Sequence, residues 1–298
     1  MHDFPFDRLY KHCESRFLPE AGRKLRIGTL SDYRTHENEK VRDIAEGKFF
    51  HTLRFDGSRL IRKSWLSDIC FGVPGISITG IGEARNNVAG GIFVGSEVIG
   101  VVQTTDDIRT IEFTADAVRL EGSLNIEFEG CDAFVFCIST KREHGSVIND
   151  DDYDACWSIS ADDLGEFQRR MAISLISKAE GIKEETIGPV VSPPFDPFRM
   201  LGDPSPSLRL HPSFSKIIYR SKSALISEGT EVSREEIKNL LDCSARTKPL
   251  EFESESEYRF IFQPSLVSSD GQRMVPLPNY CEARLIDCEP FLDLIRIE

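Results

Sequence analysis

Leu250-Glu251-Phe252-Glu253-Ser254-Glu255-Ser256-Glu257-Tyr258-Arg259-Phe260-Ile261-Phe262 reads as a β-strand with a period of two. One face carries Phe252, Ser254, Ser256, Tyr258, Phe260 and Phe262, a core-like set. The other carries Glu251, Glu253, Glu255, Glu257 and Arg259. Strand geometry sets carboxylates two residues apart at about 6.5–7 Å. Such neighbours repel, and facing cations have to offset the repulsion. The acidic face is therefore either a solvated, salt-bridged surface or a cleft wall where two carboxylates and Arg259 address a polar ligand. Ser254 and Ser256 are small and leave room for another segment to approach.

A second strand anchors the sheet. Ala133-Phe134-Val135-Phe136-Cys137-Ile138 is an unbroken apolar run ending at Ser139-Thr140. A run of that length, rich in β-branched and aromatic residues, fits a central strand buried on both faces. Arg8 to Cys13 and Leu25 to Leu30 are shorter strand candidates, with a broken helix around Pro19 between them. Ser31 to Arg34 then turn into a charged loop ending at Glu46-Gly47. Asp56-Gly57 between two alternating runs predicts a type I′ hairpin over 49–64. The Gly-rich stretch 72–100 and the alternation over 107–128 extend the β pattern. Helices concentrate later. Ser160 caps a helix carrying Leu164, Phe167, Met171, Leu175 and Ala179 on one face. Ser233 with Glu236 forms a capping box for another. Seven prolines within 189–212 predict a long loop packed over its surroundings. The sum is an α+β protein, with β-dominated split antiparallel sheets and a few helices, mainly in the second half.

Composition narrows function. The 298 residues are 40% hydrophobic and 29% charged, which fits a globular chain. Thirty-six Lys and Arg face 49 Asp and Glu, for a net charge of −13. Nucleic acid and anionic lipid gain no bulk attraction to such a chain. The eight cysteines form no C-x-x-C pair, no secretory signal opens the sequence, and no stretch of about 18 apolar residues occurs. These features predict a cytoplasmic protein with reduced thiols, no membrane contact and no metal site. The cluster Asp150 to Asp154 lacks the glycine and distal glutamate of a calcium loop. Dinucleotide-fingerprint, phosphate-loop and nucleophile-elbow patterns are missing.

Paired carboxylates suit chemistry that develops positive charge on a sugar. Cleaving a C1′–N bond passes through an oxocarbenium-like state, which one fixed carboxylate stabilises while a second orients or deprotonates the nucleophile. The E-x-E pair Glu255 and Glu257 on a late strand, the earlier buried strand ending in Ser139-Thr140 and a basic or His residue on the first strand resemble the ADP-ribosyltransferase superfamily. Leu9-Tyr10-Lys11-His12 followed by Leu25 to Leu30 resembles the entry of DarT-like toxins. The ordered motifs Gly28-Thr29-Leu30, Tyr33-Arg34, Glu37, Asp43, Glu46-Gly47, Phe136-Cys137-Ile138-Ser139, Ile218-Tyr219, Lys248 and Glu255-Ser256-Glu257-Tyr258-Arg259 resemble bacterial and phage-defence proteins. The resemblance touches about 60 residues scattered along the chain. It implies a single domain over 1–298, with a β-rich insertion at about 49–130 and NAD⁺ in a cleft. It further implies catalytic roles for Glu257, on the nicotinamide ribose, and Glu255, on the acceptor nucleophile. Ser139 would sit by the ribose, Tyr219 would stack on nicotinamide, and Arg259 would address the ligand. Lys11, His12 or Arg34 would fill the basic position. The implied function is ADP-ribosyl transfer or NAD⁺ hydrolysis by a toxin or phage-defence effector. NAD⁺, a protein or nucleic-acid acceptor, and an antitoxin or defence partner would be its partners. The alternative is a non-catalytic, defence-associated binding or regulatory protein that recognises a nucleotide or a protein partner. Its motive is the Ser139-Thr140 step, which lacks a second serine.

Overall fold

The computed structural model describes residues 4–35, 43–44, 46–69, 82–83, 89–94, 97–106, 108–130, 132–143, 153–179, 207–221, 223–227, 244–272, 274–276 and 283–298. In the first half the strands are β1 (Arg8–Cys13), β2 (Lys24–Thr29), β3 (Lys48–Asp56), β4 (Ile61–Arg62), β5 (Gly82–Glu83), β6 (Ala89–Val94), β7 (Glu97–Asp106), β8 (Arg109–Phe113), β9 (Ala117–Glu129) and β10 (Phe134–Ser139). The second half adds β11 (Ala155–Ser160), β12 (Ser207–Lys216), β13 (Ile218–Tyr219), β14 (Ser223–Ser227), β15 (Thr247–Lys248), β16 (Glu257–Val267), β17 (Met274–Pro276), β18 (Arg284–Asp287) and β19 (Ile295–Ile297). The α-helices among the described residues are α1 (Leu30–Thr35), α2 (Lys63–Ile69) and α3 (Leu164–Ala179). The protein is β-dominated, with antiparallel sheets and few helices, mostly in the second half.

Two large sheets carry the fold. The first runs β12-β16-β10-β1-β11-β19, with β17 beside β16, and β2 and β18 following from β10. The apolar run 134–138 is its centre, hydrogen-bonded to β16, β1 and β2. One face of this sheet is an aromatic core. Phe136, Trp157, Phe260 and Phe262 are buried there under Phe167, Met171 and Leu175 of α3. Phe167 lies 5.5 Å from Phe260 and 5.2 Å from Phe291. Burying each such side chain contributes about 1.5–3 kcal/mol. The Ser160 hydroxyl accepts from the Asp162 amide just before α3, so the predicted helix start holds. The opposite face of the sheet carries a smaller core of Leu30, Ala133, Val135 and Ile261, with Tyr33, Cys137 and Ala245 against it.

The second sheet runs β14-β3-β9-β7-β6, with β4 and β8 also on β9, and β5 on β8. Its strands come from the 48–129 block except for β14, which pairs in parallel with Phe50 to Arg54 of β3.

Three expectations fail here. The Asp56-Gly57 turn exists, with Gly57 at φ 75°, but 49–64 is not a hairpin. A type I′ turn needs positive φ at both central residues, and Gly57 alone has it. The Asp56 carboxylate instead accepts from the Ser58 amide at 2.8 Å. Strands β3 and β4 then lie along successive parts of β9. The predicted Pro-rich loop stops earlier than 212, because residues 207–216 form β12. Pro212 fits there because β12 ends the path of the first sheet and has a side that needs no amide donor. Thirdly, Leu30 to Thr35 is helical rather than turn. The capping box at Ser233, the remainder of the Pro-rich stretch and most of the 72–100 segment lie outside the described residues.

Candidate functional site

The acidic stretch does not form one strand. Leu250–Glu255 is a 3-10 helix, Ser256 takes the left-handed conformation at φ 47°, and β16 begins at Glu257. The strand reading needed Phe252, Ser254 and Ser256 to repay burial, and two serines return too little. Pro249 precedes the helical turn and Phe252 lies on Lys248, whose ammonium is 5.0 Å from the ring centre. Glu251 and Glu253 are exposed. Glu255 and Glu257 still come together, through a cation rather than by strand spacing. Lys248 Nζ donates to Glu255 Oε2 at 2.6 Å and to Glu257 Oε2 at 2.7 Å.

Arg259 extends the cluster into the protein. It is fully buried and is two residues from Glu257, on the same face of β16. Its Nε donates to Glu257 Oε1. Its Nη1 and Nη2 grip both oxygens of Glu46, at 2.7 and 2.9 Å, across 213 positions of sequence. Nη1 also donates to the Ala245 carbonyl at 2.9 Å. Glu46 is fully buried as well. The Gly28 to Gly47 motifs explain how it is held. A Cβ on Gly28 would lie 3.3 Å from the Asp32 carboxylate and the Tyr33 ring, so glycine lets α1 pack closely on β2. Arg34 Nη1 donates to the Glu46 carbonyl at 2.8 Å. Gly47 sits at φ 69°, with Leu30 against it.

Ser139, Glu257 and Tyr10 share one face, because Tyr10 pairs with Ser139 and Ser139 with Glu257. Ser139 Oγ donates to the Glu255 carbonyl at 2.6 Å and accepts from the Lys141 amide at 3.0 Å. His12 shares that face and lies 2.9 Å from the Lys141 carbonyl. Tyr219 Oη accepts from the Glu257 amide at 2.7 Å. The structure thus brings Glu255, Glu257, Arg259, Ser139 and Tyr219 into one neighbourhood, with His12 and Arg34 one hydrogen-bonded step away. Lys11 is set apart. Strand alternation turns it to the aromatic side, where its ammonium lies 5.3 Å from the Phe136 ring centre. Lys248 is a motif residue to which the sequence assigns no role of its own. The signal for Lys248 was a lone cation just ahead of an acidic run.

The electrostatics separate the two central acids. Burial acts to raise the Glu257 carboxyl, but the charges of Arg259 and Lys248 overcome it and hold it well below the usual range. Burial raises Glu255 to about 7; Lys248 opposes this, and the charge on Glu257 reinforces it. Lys248 is held cationic by the two carboxylates against the effect of its burial. Cys137 is raised to about 11 by burial and by Glu257, so it stays a neutral thiol, 3.3 Å from Tyr33 Oη. With Glu255 protonated the cluster balances two carboxylates against two cations. Once Glu255 ionises, the cluster carries one negative charge in excess.

No group of acidic, histidine or cysteine side chains among the described residues is placed to hold a metal ion. No described helix is long and apolar enough to cross a membrane. The chain matches no protein-family model, no curated protein and no solved structure.

Proposed function

We propose that the protein cleaves the nicotinamide–ribose bond of NAD⁺, as an ADP-ribosyltransferase or NAD⁺ glycohydrolase. One observation carries the reading: Glu255 and Glu257 meet on Lys248 in environments that drive their protonation in opposite directions. A pair of acids split in this way divides into a permanent anion and a proton carrier working near neutral pH. Glu257 is the permanent anion. Its oxygens accept from Lys248 and Arg259, and the protonated Glu255 carboxyl also donates to them, so ionisation of Glu255 frees a lone pair for a ribose hydroxyl. Glu255 is the base. As the C1′–N bond breaks, its electron pair leaves with neutral nicotinamide and the ribose becomes cationic. The excess negative charge of the cluster stabilises that cation. A water or acceptor oxygen then bonds to C1′ and gives its proton to Glu255. In this reading the protein is a cytoplasmic bacterial toxin or phage-defence effector, acting on a protein or nucleic-acid acceptor and restrained by an antitoxin or defence partner.

Purified protein should release nicotinamide from NAD⁺. Glu257→Gln should abolish release. Glu255→Gln, at the more exposed acid, should lower it while the protein stays folded by circular dichroism. Wild-type protein that neither frees nicotinamide nor labels an acceptor rules the reading out.

A second reading has its own support. Glu257 is 4% exposed, and both its oxygens are already engaged. A self-satisfied network suits a clamp that fixes β16 to the Glu46 turn in a non-catalytic binding or regulatory protein. NAD⁺ bound without turnover by wild-type protein would favour it.

A further inference from the structure

Arg220 follows Tyr219 at the edge of the acidic cluster, and its guanidinium holds no partner among the described residues. Its backbone amide donates to the Lys248 carbonyl at 2.9 Å, which fixes it one residue beyond the Tyr219–Lys248 pair. Its side chain is half-buried, and its Nε is sealed from water without a hydrogen-bond partner. It makes no ion pair among the described residues. A buried donor left unsatisfied forfeits its hydration without repayment, so this Nε–H calls for an acceptor. Beside it, Tyr219 Oη accepts the Glu257 amide hydrogen, and the phenol hydrogen has no acceptor among the described residues. Tyr219 and Arg220, consecutive in the chain, thus each offer a donor, and the Arg220 backbone is tied to Lys248 of the acidic cluster.

We infer that Arg220 binds the pyrophosphate of the dinucleotide. The inference rests on the NAD⁺ reading above and adds the group that anchors the substrate's anionic half. The chain's net charge of −13 repels a dinucleotide at long range, so a local cation has to capture its phosphates. A guanidinium matches paired phosphate oxygens with parallel N–H donors, which a lysine ammonium does not reproduce. The acidic cluster then takes the cationic nicotinamide ribose while Arg220 takes the phosphates, so substrate polarity fixes its direction in the site.

The test compares NAD⁺ with nicotinamide riboside, which has the same scissile bond and no phosphate, and measures ADP binding by calorimetry. Arg220→Ala should lower kcat/KM for NAD⁺ about 10–100-fold more than for the riboside, the range expected for lost charge-assisted hydrogen bonds. Arg220→Lys should fall between. ADP should bind wild-type protein and bind Arg220→Ala at least tenfold more weakly, with both proteins showing the same circular dichroism. Equal losses on the two substrates, or ADP binding that is absent or indifferent to Arg220, overturn the inference. Arg220-dependent ADP binding in a wild-type protein that releases no nicotinamide leaves the phosphate subsite standing and removes the catalytic reading.

Discussion

Two arginine–carboxylate clusters in this protein have nearly the same hydrogen-bond geometry and opposite surroundings. On α3, Arg169 grips both oxygens of Glu166 at 2.7 Å. Under the first sheet, Arg259 grips both oxygens of Glu46 at 2.7 and 2.9 Å. The side chains of the first pair are 60% and 36% exposed, and those of the second are wholly buried. Water and salt screen the exposed pair, and either partner is readily solvated when the other is lost. In the buried pair each charge depends on the other. The difference teaches that bond lengths do not rank ion pairs; the fate of the abandoned partner does.

The comparison breaks or sharpens on five measurements. Arg259→Met strands Glu46 and Glu257 without their cation, and urea denaturation should show a loss of about 3–5 kcal/mol. A loss too small to measure would mean that water reaches the cluster. Gly47→Ala acts one step removed. Its left-handed φ, and a new Cβ that would lie 3.1 Å from Leu30 Cδ1, should cost about 1–2 kcal/mol, also read by denaturation. Glu255 gives a smaller, pH-dependent effect. Between 4.5 and about 7 the unfolded chain has lost its Glu255 proton while the folded protein keeps it. Stability should therefore fall as pH rises through that window, and Glu255→Gln should flatten the slope. Nicotinamide release should run the other way and rise with pH through about 7, since the base works ionised. Last, Arg169→Met should leave the Tm where it is.

The parts of the fold legible in the sequence were those where one periodicity had no rival. Phe134 to Ile138 is too apolar to sit anywhere but in a central strand. Leu164, Phe167, Met171 and Leu175 repeat at helical spacing behind a serine cap, and all four are buried. The stretch 250–256 misled because alternation of Glu with Phe or Ser imitates a strand, whereas folding back places two acids on one lysine. Asp56-Gly57 misled because the turn is local while the choice of partner strand is not. The meeting of Glu255, Glu257, Ser139 and Tyr219 was legible as a set of motifs in order. The Arg259–Glu46 grip was not, because no local pattern in the chain specifies a contact across 213 positions.

That long-range grip also sets when the acidic centre can exist. Glu46 is synthesised 213 residues before its cation, the acids Glu255 and Glu257 come just ahead of Arg259, and β16 must then slot between β10 and β12. At ribosomal speeds of about 5–20 residues per second, the acid waits roughly ten to forty seconds for its cation. Contacts so distant in sequence form late in folding. A nascent chain therefore lacks the assembled cluster, and whatever chemistry the cluster performs is withheld until β16 has left the ribosome.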